Sequence, residues 1–112
     1  MIEQEVVEAY NRRLTVDLNN LKKLTPSQRD AVKHHGSLAE ALVTNRDLAM
    51  FIHQFRFEIN DQLASVVGHG PDANSERVAL ANQLTGIDAF VTMLKSAVYK
   101  RNRVLQAEKD GD

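Results

Sequence analysis

The sequence predicts an all-α fold built around one long antiparallel helical hairpin, and three observations support this prediction. Apolar residues recur at alternating steps of three and four along most of the chain, which is the spacing of one face of an α-helix. Glycine and proline are scarce, with five and two in 112 residues. Capping residues and Gly/Pro breaks divide the chain into four helical segments, over residues 2–24, 26–35, 38–67 and about 75–107.

The first predicted helix, over residues 2–24, is amphipathic. Its apolar side chains fall on one broad face, as expected for a helix that packs against other elements. These side chains are Val6, Val7, Tyr10, Leu14, Leu18, Leu21 and Leu24.

The second predicted helix is short and bounded by two capping signals. Thr25 and Gln28 form a capping box around Pro26, which is well placed at a first helical position. Gly36 is expected to adopt the left-handed conformation that ends this helix. A second box, from Ser37 to Glu40, is then expected to start the third helix.

The third and fourth predicted helices carry matching apolar seams on either side of a turn at residues 68–71. Folding the chain at this turn places Leu63 opposite Leu80 and Ile52 opposite Val91, which predicts the hairpin. The seam of the third helix is Leu38, Leu42, Asn45, Ala49, Ile52, Arg56, Ile59, Leu63 and Val66. The seam of the fourth is Leu80, Leu84, Ile87, Val91, Leu94, Val98, Arg101 and Leu105.

One flank of this seam is apolar and needs cover. Phe51, Phe55, Phe90 and Met93 lie on it. The first helix can supply the cover, which predicts an arrangement like a three-helix bundle. Gly86 lies beside this flank, and a close approach of the first helix would explain a glycine in a helix interior.

A second apolar row lies roughly opposite the seam of the third helix. Val43, Met50, Phe57 and Ala64 recur there at intervals of seven residues. A row of four is more than a monomer usually leaves exposed, so we expect it to contact a second copy of the chain or another protein. The protein is therefore expected to be a homo-oligomer.

The sequence contains no recognisable catalytic or metal-binding motif, and we predict no cofactor. None of the four histidines has the spacing of a zinc site. The hairpin places His53 beside Asp88, a combination that can orient a general base, but no nucleophile accompanies it. We interpret this pair as an interhelical polar contact.

Basic residues cluster at the two sequence ends of the hairpin, and antiparallel folding is expected to gather them into one basic pole. Such a pole could bind nucleic acid or a phosphorylated small molecule. Its members are Arg12, Arg13, Lys22, Lys23, Arg29, Lys33, Lys100, Arg101 and Arg103.

The length, charge and cysteine content of the chain narrow the possible classes of protein further. A length of 112 residues predicts a single helical domain with a frayed tail at 108–112. The formal charge of −1 gives no global attraction to nucleic acid or anionic lipid, and the chain has no cysteine. Neither a signal peptide nor a membrane span is evident, so we expect a cytoplasmic protein, in a cell, in an infected host or in a virion.

These features favour a non-enzymatic, self-associating helical interaction or adaptor protein. One alternative is a nucleic-acid-binding or packaging accessory that uses the basic pole. Another is a protein that sequesters an anionic nucleotide or small ligand at a subunit interface. Short cysteine-free helical hairpins are common among phage accessory proteins, although no residue motif connects this chain to a family.

Overall fold

A computed structural model describes residues 2–111 and is all-α, as predicted. Within these residues there are four α-helices, one short 3-10 helix and no β-strand. The α-helices are α1 (Ile2–Asn11), α2 (Pro26–Val43), α3 (Arg46–Ser65) and α4 (Pro71–Lys109), and the 3-10 helix is Leu21–Lys23. The long α4 packs against α2 and α3, which confirms the helical hairpin.

The helices belong to two compact units. The first unit comprises residues up to Ser37 together with residues from Ala97 onward. The second unit comprises Leu38–Ser96. Both α2 and α4 therefore contribute residues to each unit.

The core of the first unit combines a non-helical segment with two helices. Leu24, Val32 of α2 and Val104 of α4 form its buried cluster. The partly buried side chains of Val16, Leu18 and Leu21 pack against that cluster. Apolar residues of segment 12–24 are thus used in a core, although none of the segment is α-helical.

The first helix is much shorter than the predicted 2–24, because α1 ends at Asn11. The residues that follow have poor helix propensity, including β-branched Val16 and the short polar Asp17. The Asp17 carboxylate also accepts a hydrogen bond from the backbone N–H of Asn19 at 2.9 Å. This local bond stabilises a turn in place of a helix.

The capping box at the start of α2 is confirmed. The backbone N–H of Thr25 donates to Gln28 Oε1 at 2.9 Å, and the backbone N–H of Gln28 donates to Thr25 Oγ1 at 3.2 Å. The predicted break at Gly36 and Ser37 was wrong, because α2 continues through both residues to Val43.

Gly36 has a packing role instead of a turn role. It is buried, and its φ is not positive. A Cβ at this position would overlap the Cβ of Arg101 and would lie 2.8 Å from the carbonyl oxygen of Ala97. The absence of a side chain therefore allows α2 to approach α4 closely.

The second unit contains a helix boundary that the sequence interpretation missed, between Val43 and Arg46. Asn45, assigned above to the seam, is the N-cap of α3, and its side chain accepts a hydrogen bond from the backbone N–H of Leu48 at 2.9 Å. At the other end of α3, Gly68 turns the chain with a φ of +89°. Arg77 fastens this turn by donating to the carbonyl oxygen of Gly68 at 2.6 Å.

The predicted hairpin seam is confirmed in this unit. Ile59 and Leu80 are buried. The other seam residues that are at least partly buried are Ala49, Ile52, Arg56, Leu63, Val66, Leu84, Ile87, Val91 and Leu94. The polar interruption at Arg56 is explained by an ion pair with Asp88 of α4 at 2.5 Å.

Beyond Leu94 the seam of α4 differs from the prediction. Ala97 and Val104 are buried, whereas Leu105 is 45% exposed. In the first unit α4 packs next to Gly36 of α2. The residues of α4 at this close helix contact are Ala97 and Arg101. Leu38 and Leu42, also predicted for the seam of the third helix, are 53% and 43% exposed.

The apolar flank that the first helix was expected to cover is open. Phe51 is 77% exposed and Met93 71% exposed. None of the residues of α1 is buried. The proposed reason for Gly86 was also wrong, because a Cβ on Gly86 would meet nothing within 4 Å.

Within residues 2–111, no helix combines the length and the apolar character needed to cross a membrane.

Candidate functional site

The basic residues predicted to form a pole belong to one structural unit. All nine of them lie in the first unit. That unit contains ten Lys and Arg against eight Asp and Glu, a balance of +2, whereas the second contains four against seven, a balance of −3. The small net charge of the whole chain therefore hides a charge difference between its two units.

Several members of this basic set are occupied by contacts within the unit. Arg12 pairs with Glu8 of α1 at 3.1 Å. Arg13 stacks over the ring of Tyr10 at 3.9 Å from its centroid. Arg101 donates to the side chain of Asn102 at 2.9 Å. These side chains stabilise local structure and are less available to a ligand.

Lys33 is also occupied. Its Nζ donates to Glu108 Oε1 at 2.9 Å and lies 3.4 Å from Asp30 Oδ1. The hydrogen bond that Lys33 donates to Glu108 raises the pKa of Lys33, with smaller contributions from Asp30. The contact joins α2 to α4 inside the first unit.

Three other basic side chains line one open cleft in the first unit. Lys22 comes from the 3-10 helix, and Lys100 and Arg103 come from α4. The two α4 residues are three positions apart, so they project from the same side of the helix. The remaining lining residues of this cationic cleft are Leu18, Asn19, Asn20, Leu21 and Tyr99.

The chemistry of the cationic cleft suits an anion. Its volume is about 390 Å³, and no carboxylate lines it. Within the described part of the chain, Lys22, Lys100 and Arg103 have no ion-pair partner. Their charges are therefore not neutralised by another side chain in the described residues. Lys23 and Arg29, also predicted for the pole, do not line the cleft.

Sequence reasoning found the three cations but not the cleft. The cleft depends on residues 18–22 lying beside α4 in a turn and a 3-10 helix, whereas a continuous helix had been predicted there. The run Asp17-Leu18-Asn19-Asn20 was the available signal, because Asp and Asn disfavour helix interiors.

Comparison with protein-family models, curated proteins and solved structures gives no match to this chain. Its possible roles therefore follow from its own residues. Besides the cationic cleft, the second unit contains the apolar row predicted from the sequence.

The apolar row is exposed on α2 and α3. Met50 is 59% exposed and Phe57 62% exposed, and Val43 and Ala64 are exposed as well. The ring of His53 stacks on Phe57 with a centroid distance of 6.4 Å. More than half of the surface of Met50 and of Phe57 nevertheless stays open to solvent.

A groove lies near one end of this row in the second unit. It has a volume of about 260 Å³ and is lined mainly by aliphatic side chains. They are Leu42, Val43, Leu48, Ala49, Ile52, Val91 and Leu94, with His53, Arg56 and Lys95 as the polar members. The groove arises because α2 ends at Val43 and α3 begins at Arg46, a break that was not predicted.

The predicted polar pair of His53 and Asp88 is replaced by a different one. Asp88 binds Arg56, and His53 lies against Phe57. Arg56 is one turn further along α3 than His53 and reaches the same carboxylate with a longer side chain. Among residues 2–111, no group of three or more His, Asp or Glu residues could hold a metal ion.

Proposed function

We propose that the chain is a non-enzymatic, self-associating helical interaction protein, and that a second copy covers the row Val43, Met50, Phe57 and Ala64. The observation that carries this proposal is the exposure of Met50 and Phe57 on the open side of α3. Large apolar side chains grouped along one helix favour burial against a partner.

The spacing of the row suits a helical partner. Seven-residue intervals keep apolar side chains in line when two helices wrap around each other. Within α3, the part of the row from Met50 to Ala64 extends over about 21 Å at ~1.5 Å per helical residue. A two-fold dimer with antiparallel rows would place Met50 of one copy near Phe57 of the other. Both copies would then use the same surface, as in most symmetric dimers.

The small core of the second unit also favours a partner. Two helices packed side by side bury one stripe each, and in this unit Ile59 and Leu80, each 5% exposed, are the large apolar side chains that are buried. A domain usually needs at least two packed layers around its core to be stable. Another helical layer from a second copy would bury additional apolar surface on the hairpin.

The short length and the exposure of α1 also favour a partner. It is ten residues long, has no buried residue, and exposes Ile2, Val6, Val7 and Tyr10. Isolated helices shorter than about 12–15 residues are marginal in water. Contact with another copy would give this helix a surface against which to fold.

Sedimentation velocity over a wide concentration range tests the proposal. We expect a discrete oligomer for the unaltered chain and a dissociation constant raised at least tenfold by Phe57→Gln, because about 1.5–3 kcal/mol accompanies burial of a Phe side chain. Val78→Gln is the matched control, since Val78 of α4 is 60% exposed but lies outside the row. A monomer at every concentration, or equal effects of the two substitutions, would contradict the proposal.

A further inference from the structure

The cationic cleft of the first unit combines three kinds of group that a nucleotide requires. Lys22, Lys100 and Arg103 supply positive charge without ion-pair partners in the described chain. Tyr99 supplies an aromatic ring that is 62% exposed. Asn19 and Asn20, whose side chains carry amide groups, line the same cleft.

We infer that this cleft binds a nucleoside phosphate, with its phosphate between Lys22, Lys100 and Arg103 and its base against Tyr99. A phosphate group has several oxygens and up to two negative charges, so it can use all three cations at once. Arginine adds paired N–H donors in a planar fork, and lysine adds a mobile point charge. A single carboxylate would leave part of this charge unmatched.

The position of Tyr99 favours a base next to the phosphate. Tyr99 directly precedes Lys100 on α4, and both line the cleft. Exposed aromatic rings beside basic side chains form the stacking sites of many proteins that bind single-stranded nucleic acid, because every base has a flat π-face. The amide groups of asparagine can donate to and accept from a base edge or a ribose hydroxyl.

The size of the cleft limits the ligand. A volume of about 390 Å³ lies near the lower end of the usual range for small-molecule sites, roughly 300–1,000 Å³. It accommodates one nucleotide unit. That unit could be a free nucleotide or one residue of a single strand, because the two share the phosphate, the sugar and the base.

The first test measures two probes at 50 and 200 mM salt. Isothermal titration calorimetry with ADP reports the free nucleotide, and fluorescence anisotropy with a labelled ten-residue oligodeoxythymidine reports the single strand. If the strand uses three phosphate contacts, its affinity should fall about 18-fold over this salt range, from a log–log slope of about −2.1. Binding of ADP alone identifies a free nucleotide, and stronger binding of the oligonucleotide identifies a strand.

The second test uses two adjacent lysines as a matched pair. Lys22 lines the cleft, whereas Lys23, in the same 3-10 helix, does not. Lys22→Gln and Lys23→Gln change the net charge equally. For whichever of the two probes binds, we expect Lys22→Gln to weaken its binding about fivefold and Lys23→Gln to change its binding less than twofold.

The aromatic contact is tested separately. Tyr99→Ser should weaken binding of ADP or the oligonucleotide about fivefold or more while leaving the salt dependence unchanged, because it removes stacking and no charge. The inference is overturned if neither probe binds at 50 mM salt, or if the two lysine substitutions act equally. The association state of the Lys22→Gln variant should match that of the unaltered chain, so this result is separable from the proposed self-association.

Discussion

Gly36 of α2 lies directly against Arg101 of α4, so closely that a Cβ on Gly36 would overlap the Cβ of Arg101. The contact explains why a glycine occupies the interior of α2, where it costs about 1 kcal/mol relative to alanine. It also explains the polar residue in the seam of α4. The stem of Arg101 packs against the glycine, and its guanidinium is held by hydrogen bonds that include Asn102.

Gly36→Ala should therefore destabilise the protein, whereas Gly86→Ala should stabilise it. The added methyl at position 36 would clash with Arg101 and with the carbonyl oxygen of Ala97, and such overpacking typically costs about 1–3 kcal/mol. At Gly86 a Cβ meets nothing within 4 Å, so the helix gains about 0.5–1 kcal/mol. Urea unfolding of both variants measures the difference. Equal shifts in the same direction would contradict the close contact.

A second prediction compares two neighbouring residues of α4. Val104 is 2% exposed and belongs to the core of the first unit, whereas Leu105 was the residue predicted for the seam. Val104→Ala should lower the free energy of unfolding by about 2 kcal/mol, and Leu105→Ala by less than about 1 kcal/mol. Thermal unfolding of both variants checks this order. A larger loss of unfolding free energy for Leu105→Ala than for Val104→Ala would support the seam predicted from the sequence.

The ion pair between Arg56 and Asp88 should contribute modestly to stability. The Asp88 side chain is 62% exposed, so water screens much of the attraction. A double-mutant cycle of Arg56→Met and Asp88→Asn should give a coupling energy of about 0.5–1 kcal/mol. The same cycle with His53→Ala in place of Arg56→Met should give no coupling to Asp88. Coupling to His53 would support the pair expected from the sequence.

The contact of Lys33 with Glu108 should make stability depend on alkaline pH. The pKa of Lys33 is raised in the folded state by its hydrogen bond to Glu108. A raised lysine pKa stabilises the fold fully below the unfolded-state pKa, and this contribution is lost as the pH rises through the folded-state pKa. The difference in unfolding free energy between the unaltered chain and Lys33→Met should thus shrink above about pH 10. Urea unfolding of both proteins at neutral and at alkaline pH measures this difference. A difference that stays constant across that range would contradict the contact with Glu108.

The features that sequence reasoning predicted well depend on long periodic patterns. The hairpin seam around Ile59 and Leu80 spans several helical turns, and its two halves match across the turn at Gly68. The capping box at Thr25 was predictable for a different reason: it is local, because its bonds join residues three positions apart. In both cases the physical information is contained in a short or strongly repetitive stretch.

The features that were missed depend on contacts between distant residues. Gly36 resembles a helix end in sequence, but its contact with Arg101 keeps it inside a helix. Asn45 fits the heptad by position, but it caps α3. The cationic cleft combines residues near position 20 with residues near position 100. A periodic pattern contains no information on which of these alternatives the packing selects.

The first unit is assembled from both ends of the chain, and this has a consequence for synthesis. Its core joins Leu24 and Val32 to Val104, and Lys33 meets Glu108 across 75 positions. During translation, the residues that seal this core leave the ribosome later than Leu38–Ser96, which has had time to form its hairpin. A nascent chain arrested before Val104 should therefore expose Leu24 and Val32 and become a substrate for chaperones that bind apolar segments.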